Sequence, residues 1–423
     1  MPEITALLLL GLALLCFRLF KVGDLFAPWV LTATVWFVIL LGVAVYSDQL
    51  YPLTPQFYTC LALWMPIFCA SSLLTYYLLP ARPQSGSNGK DIRAALGCPM
   101  EINRIIFDAL FIISCVITPL YIYEIMKIVS MFDPADILSN LRLLAVHGDE
   151  DYGFLAYSAV INKVLLIVAI WHYPRVPLWK LLIIYATNFL SFAAIMEKGS
   201  LFFIVFATLF VLYEKGTIRP RSILITLVLL VLIFWVINIA RTFKSQSSSN
   251  ADDYSLLEFI LIYILSPPVA FCQTVEDIGS LAPGEHTFRT VYVFLQRFGA
   301  DVTVQPIVQN FVLVPVPTNV YTIFQPFFQD FGYLGVAFFA LVYGFFSGAL
   351  YRGFINGHGL SRCFYTWVVY CLVLQFYQEY LFIGLVGVIQ MLFFLLLILS
   401  QRLRFASLTP SCNKALGEQP KGG

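Results

Sequence analysis

RTFKSQSSSNADD (241–253) opens the stretch whose reading decides the fold, and VPVPTNVYTIFQPFFQDFGYLG (314–335) closes it. Long apolar runs lie on both sides, and those on the N-terminal side stop at Arg241. The next uninterrupted apolar run is roughly eighty residues away, whereas connections usually take about 4–6. Only Lys244 to Asp253 has the polar, Ser-rich make-up of a flexible segment. The remainder interleaves aromatics and prolines with Arg289, Arg297, Asp301 and Asn310. An ordered, polar, cation-bearing loop on an apolar scaffold is a candidate active site.

The rest of the chain is that scaffold. Hydrophobic residues make up 60% of it, charged residues 12%, and the mean hydropathy is +0.84, outside the range of soluble proteins. The length leaves room for about ten to twelve helical spans of about 20 residues each. We expect an all-α, polytopic integral membrane protein, residues 1–423 forming one transmembrane domain. Most of the nine Cys, among them Cys16, Cys60, Cys69, Cys115 and Cys371, sit in apolar runs, so no disulfide framework is implied. A net charge of +1 gives no reason to expect a nucleic-acid partner. No Walker loop, HExxH or CxxC motif occurs, and no cofactor or metal is expected.

Charge sets the topology. Residues 3–20 are apolar without a basic start, which reads as a retained first span rather than a cleaved signal. Spans near 27–46 and 57–79 follow, and then a Gly/Ser/Pro-bearing linker with Arg82, Lys90, Arg93 and Arg104. The positive-inside rule makes that linker cytoplasmic. Further spans near 105–128, 154–171, 178–195, 200–213 and 222–240 then alternate, leading to a large periplasmic loop over 241–321. Spans near 331–350, 363–381 and 384–400 bring the total to about eleven. The apolar LLEFILIYIL (256–265) is too short to cross and stops at Ser266-Pro267-Pro268, so it reads as re-entrant or interfacial. On this topology Lys127, Arg142, Lys163, Lys198, Arg241, Lys244, Arg289 and Arg297 face outward, and every other Lys and Arg faces in.

Those outward cations are the informative minority. Arg offers a planar fork and Lys a point charge, and together they suit a pyrophosphate held at the membrane surface. Lys163 lies within a span and Lys198 at the rim of one, so both read as substrate contacts or as interfacial anchors. Asp149-Glu150-Asp151 has the look of a metal-holding triplet, but without a further His or carboxylate nearby it reads as a solvated acidic loop. The Arg142-x10-Gly153 spacing carries little weight in a chain with 25 Gly.

The far end of the loop carries a resemblance. PVPTNVYTIFQPFFQDFGYLGVAFFALVYGFFSGALYR resembles the signature of bacterial oligosaccharide repeat-unit polymerases, the Wzy-type O-antigen and capsule polymerases. Members of that family have a large outer loop that begins with an Arg and ends in Asn-x-Tyr-Thr, followed by Asp-Phe-Gly-x-x-Gly. The matching positions are Arg241, Asn319, Tyr321, Thr322, Asp330, Gly332 and Gly335. Where relatives often carry Arg after the sixth span, this chain has Lys198.

The resemblance implies a GT-C-like glycosyltransferase architecture in the bacterial inner membrane. Its activity would be metal-independent transfer of a growing glycan from undecaprenyl pyrophosphate to another lipid-linked repeat unit. A chain-length regulator and a flippase would be its partners. Arg241, Arg289 and Arg297 become candidates for stabilising the leaving group, and Asp330, Asp301 or Glu379 for assisting the acceptor hydroxyl. Asp330 equally reads as a helix cap. Asn319, Tyr321, Lys163, Lys198 and Glu379 become candidate substrate contacts, and Tyr292, Tyr321 and Phe324 candidate sugar-stacking rings. Two other functions compete: a flippase or transporter of lipid-linked glycan, for which no internal repeat speaks, and an O-antigen ligase. The ligase family usually depends on a His in its large outer loop, and His286 lies in this one.

Overall fold

A computed structural model describes residues 2–20, 22–80, 100–132, 137, 140–141, 144, 153–195, 198–219, 221–222, 225–226, 256–274, 284–306, 309–315 and 317–400. Arg241, the apolar run 222–240 and the Asp149–Asp151 triplet therefore fall almost wholly outside the described residues. Within them the chain is helical: α1 (Pro2–Leu19), α2 (Pro28–Val45), α3 (Pro55–Leu78), α4 (Arg104–Val129), α5 (Tyr157–His172), α6 (Leu178–Ile195) and α7 (Lys198–Glu214). After these come α8 (Leu256–Thr274), α9 (Arg289–Arg297), a two-stranded ladder of β1 (Val312–Leu313) with β2 (Pro317–Thr318), and then α10 (Gln325–Ile355), α11 (Gly359–Val373) and α12 (Leu385–Leu399). Five segments are long and apolar enough to cross a membrane: Pro28–Val45, Pro55–Leu78, Arg104–Val129, Gly153–His172 and Gln325–Ile355.

Local sequence explains where the helices begin. Pro28 and Pro55 occupy first-turn positions, where a missing N–H costs nothing. Asn103 caps α4, its side chain accepting from Ile106 N at 3.3 Å. Three of the cations expected on one side are tied to helix ends. There Lys180 meets Asp108 at 2.7 Å, Lys215 Nζ donates to the carbonyls of Ile170 and Tyr173, and Arg352 Nε donates to the Leu79 carbonyl. The segment 284–323 leads into the start of α10, and that end of the bundle is called here the loop end.

Two devices hold the helices together where burial of oil against oil supplies little drive. Between α4, α5 and α6, Asn162 Nδ2 donates to Thr118 Oγ1 and to Ser191 Oγ, both at 3.0 Å, while Ser114 donates to Asn162 Oδ1. Between α3 and α10, Gly344 and Gly348 lie against the backbone of Phe68 and Ser72, where a Cβ would overlap those atoms. Rings fill the centre: Trp36 stacks on Phe324 at 5.0 Å and Trp64 on Phe327 at 6.1 Å.

Two expectations are corrected. α8 does not stop at Ser266-Pro267-Pro268 but runs helically to Thr274, with Leu265 to Cys272 all buried among α2, α3 and the strands. Packing on three sides overrides the prolines' loss of helix hydrogen bonds. α11, expected to run to about 381, ends at Val373, and residues 374–384 are irregular. At 15 residues, α11 and α12 each span only about 22 Å. The irregular segment therefore reaches into the depth of α10, its Glu379 meeting Tyr343. Such backbone is tolerated within an apolar bundle only when protein satisfies it. Gln375 shows how: it accepts from Trp36 Nε1 at 3.1 Å and, on its main chain, from Ile323 N at 2.8 Å, while Nε2 donates to Thr32.

Candidate functional site

The motif 319–335 folds as a plug and a reversal. Residues 320–328 are buried throughout, and after 331 the helix breaks at Gly332, with φ 62° and ψ −149°, a region open essentially only to glycine. The chain turns back so closely that a Cβ at Gly335 would overlap the Phe327 carbonyl. The two glycines of Asp-Phe-Gly-x-x-Gly thus have a steric origin, and the turn fixes where Asp330 points.

Asp330 points under the segment Gly284–Thr287. Its side chain is fully buried, and Oδ1 accepts from His286 N at 3.2 Å while Oδ2 accepts from Thr287 N at 2.7 Å. His286 Nδ1 lies 3.0 Å from the same Oδ1. A carboxylate only accepts, so Nδ1 carries the proton, and in the neutral ring Nε2 is the acceptor nitrogen. Thr287 Oγ1 donates to the Pro326 carbonyl at 3.2 Å, tying the segment to the plug. Asp330 is not a cap on its own helix; it holds and orients an imidazole 44 residues away.

The surrounding loop is built on two more anchors. Buried Glu285 accepts from Thr303 Oγ1 at 2.8 Å and from Gln305 Nε2 at 2.9 Å. Arg289 Nε donates to the Gln305 carbonyl at 2.6 Å, and burial pulls the guanidinium below its ordinary range. One of the fork's five N–H donors is thereby committed. The loop end thus has one imidazole fixed by a carboxylate and one guanidinium fixed by a carbonyl, three residues apart on the chain.

The other candidates fare unequally. Arg297 is exposed at the far end of α9, eight residues and about 12 Å of helix from Arg289. The two are not brought together. Tyr321 is 3% exposed, its hydroxyl donates to the Asn310 carbonyl at 2.7 Å, and burial pushes its phenol up to about 12. Phe324 is fully buried. Neither ring has a face for a sugar, because the plug needs both as core. Asn319 is half-buried just after β2, Tyr292 is half-buried on α9, and Asp301 is exposed.

Glu379 is 1% exposed, and its carboxylate accepts from Leu381 N at 2.7 Å, Phe382 N at 2.9 Å, Ile383 N at 2.8 Å and the Tyr343 hydroxyl. That leaves it a folding role rather than contact with substrate or acceptor. Lys163 sits between α7 and α11, its Nζ 6.0 Å from the Phe203 ring centre and 5.7 Å from that of Trp367. Lys198 begins α7. Among the described residues, no three His, Cys, Asp or Glu side chains converge as a metal site requires.

Glu285, Thr287 and Gln305 escape sequence reading, and so does the pairing of His286 with Asp330. The one local signal is the dense polar run GEHTFR (284–289) opened by a glycine with φ 93°. The chain matches no family model, no curated protein and no solved structure, so the functional reading stands on this geometry and on the resemblance of residues 241–335.

Proposed function

We propose that this chain is a membrane glycosyltransferase that polymerises oligosaccharide repeat units carried on undecaprenyl pyrophosphate, at the periplasmic face of a bacterial inner membrane. The reading includes about eleven spans, a GT-C-like architecture and an outward loop end. The single observation that carries it is the His286–Asp330 pair, built by the very turn that bears the family-like motif, with Arg289 three residues along the chain from His286.

The chemistry follows from those atoms. An acceptor sugar hydroxyl attacks the anomeric carbon of the donor, forming the new C–O bond. The bond from that carbon to the pyrophosphate oxygen breaks, and the leaving group takes the electron pair. His286 Nε2 receives the hydroxyl proton, and Asp330 stabilises the imidazolium that results. Arg289 would stabilise the developing charge on the pyrophosphate, and the family-like motif gives Arg241 the same role. Proton transfer to a positioned base is worth about 10²–10⁴-fold and a charge-stabilising donor about 10²–10³-fold.

A second reading is favoured by the same histidine: an O-antigen ligase would use the same donor and base with a lipid A core acceptor. One experiment separates the two. In a deletion strain complemented with this chain, the polymerase reading expects a ladder of glycan lengths, reduced to a single repeat unit on the core when the chain is absent. Loss of all core-attached glycan on deletion would instead indicate the ligase, or a flippase. Arg241→Ala should abolish the ladder and Arg241→Lys retain part of it, since a point charge replaces a fork. Unchanged ladders from a well-expressed Arg241→Ala variant would remove that residue from the mechanism.

A further inference from the structure

Helix α9 turns its apolar side outward. Val291, Phe294 and Leu295 follow the i, i+3, i+4 spacing of one helical face, and Phe298 continues it at i+7 just past the helix end. All four are exposed, Phe298 at 87%. The side toward the protein carries instead the buried Thr290 and Arg289, whose Nε is tied to the Gln305 carbonyl. A helix on the surface of a soluble protein has the reverse order, apolar residues inward and polar ones out. A contiguous apolar stripe left outside marks an interaction surface.

The position of α9 tells what covers that stripe. Phe288, the residue before α9, packs on Phe331 at 6.2 Å and on Phe339 at 6.1 Å, so α9 starts level with the first two turns of α10 beyond Gly332. From those turns Leu334, Phe338, Leu341 and Phe345 run along α10 as a second stripe, each more than half exposed. That stripe belongs to a segment long and apolar enough to cross a membrane, where acyl chains cover it. The contact of Phe288 with Phe331 joins the two stripes at the loop end. Arg297, exposed in the last turn of α9 and off its stripe, is placed for headgroup phosphates, as the charged side of an interfacial helix is.

We propose that α9 is an interfacial helix, its Val291–Phe298 stripe seated among the upper acyl chains of the phospholipid leaflet at the loop end. The proposal rests on the membrane part of the reading above and not on its sugar chemistry. Lipid on one side of α9 and the tie from Arg289 to Gln305 on the other fix the height of the helix. They thereby fix the height at which Arg289 and, three residues earlier, His286 stand over the leaflet.

Trypsin cuts after Arg289 and Arg297, so Thr290–Arg297 is released as one peptide and can be mapped by mass spectrometry. The full-length chain is placed in nanodiscs of phosphatidylethanolamine and phosphatidylglycerol. Two parallel runs label it, one with a phospholipid bearing a diazirine high on its acyl chain and one with a water-soluble diazirine. The lipid-borne carbene is expected on Val291, Phe294 and Leu295, as on Leu334 and Phe338. The aqueous one is expected on Gln296, exposed on the opposite side of α9. Phe294→Glu combined with Phe298→Glu should transfer the labelling of Val291 and Leu295 from the lipid-borne to the aqueous reagent. Unchanged lipid labelling in a folded double variant would overturn the stripe as the anchor, and the wild-type map decides if that variant proves unstable. Aqueous labelling of the wild-type stripe would overturn the proposal. Protection from both reagents would overturn it too, and would mean a protein partner or a second copy on that face. Lipid label missing from Leu334 and Phe338 as well would remove the membrane reading itself.

Discussion

Asp330 and Glu379 are both buried carboxylates that gather backbone N–H groups, yet they organise their surroundings in opposite ways. Glu379 spends itself locally: three of its donors are amides two to four residues ahead, and the fourth is a tyrosine hydroxyl whose proton ends the chain of bonds. Asp330 reaches 43 and 44 residues back, and one of its partners is a ring with a second nitrogen. The first arrangement is closed and serves a broken stretch of backbone in an apolar bundle. The second passes its influence on to an atom that can take a proton. Burial and full hydrogen bonding alone do not distinguish a structural carboxylate from one that serves chemistry; the partner's remaining valence does.

The comparison can be broken most forcefully at Glu379. Glu379→Ala leaves one buried and two partly buried N–H groups and a buried tyrosine hydroxyl without their acceptor, at up to about 1–3 kcal/mol each, a loss that reaches the scale of a whole protein's stability of about 5–15 kcal/mol. We expect little monodisperse protein after detergent extraction. A normal melting curve for this variant would refute the structural role.

At His286 the expected effect is on rate and not on folding. His286→Gln should lower polymer synthesis by about 10²–10⁴-fold with melting nearly unchanged; full activity would leave the pair a structural contact. Asp330→Asn should cost less than His286→Gln. The amide still accepts one N–H but loses the charged hydrogen bond to the ring, worth about 1.5–3 kcal/mol. That is about 10–100-fold in rate, and a loss smaller than that of His286→Gln marks Asp330 as a positioning residue. Arg297→Ala sharpens the comparison from below. An exposed cation at the remote end of α9 should change stability by no more than about 0.5 kcal/mol and leave ladder length alone. A shortened ladder would mean that α9 lies along the glycan.

Much of the scaffold was legible because it rests on local rules. Apolar runs with cations at alternate ends place α2 to α7 within a few residues of where they lie. The turn at Gly332 was legible as a motif, and its steric cause needed only the fold-back onto Phe327. α8 was misread at its prolines because helix-breaking is a local tendency that burial on several sides reverses. The early end of α11 was missed because 374–384 is as apolar as a helix, and what keeps it irregular is the set of bonds to Glu379 and Gln375. The site was half legible. Asp330, Arg289 and His286 all stood out, but the contact between the first and last spans 44 residues and leaves no periodic trace. Tyr321 and Phe324, attractive as exposed rings in a loop, turned out to be core because the loop dives inward at Val320.

The reversal at Gly332 also sets a phase. From there α10 runs unbroken past Gly335, Gly344 and Gly348, so the glycine that lets the turn close and the glycines that seat α10 on α3 share one helical clock. Adding a single residue after Gly335 would rotate everything beyond it by about 100° and advance it by about 1.5 Å. Gly344 and Gly348 would then swing off Phe68 and Ser72, and bulkier neighbours would arrive in their place. The distance from the turn to the seam therefore acts as a ruler that tolerates substitution at many points along α10 but no change in count.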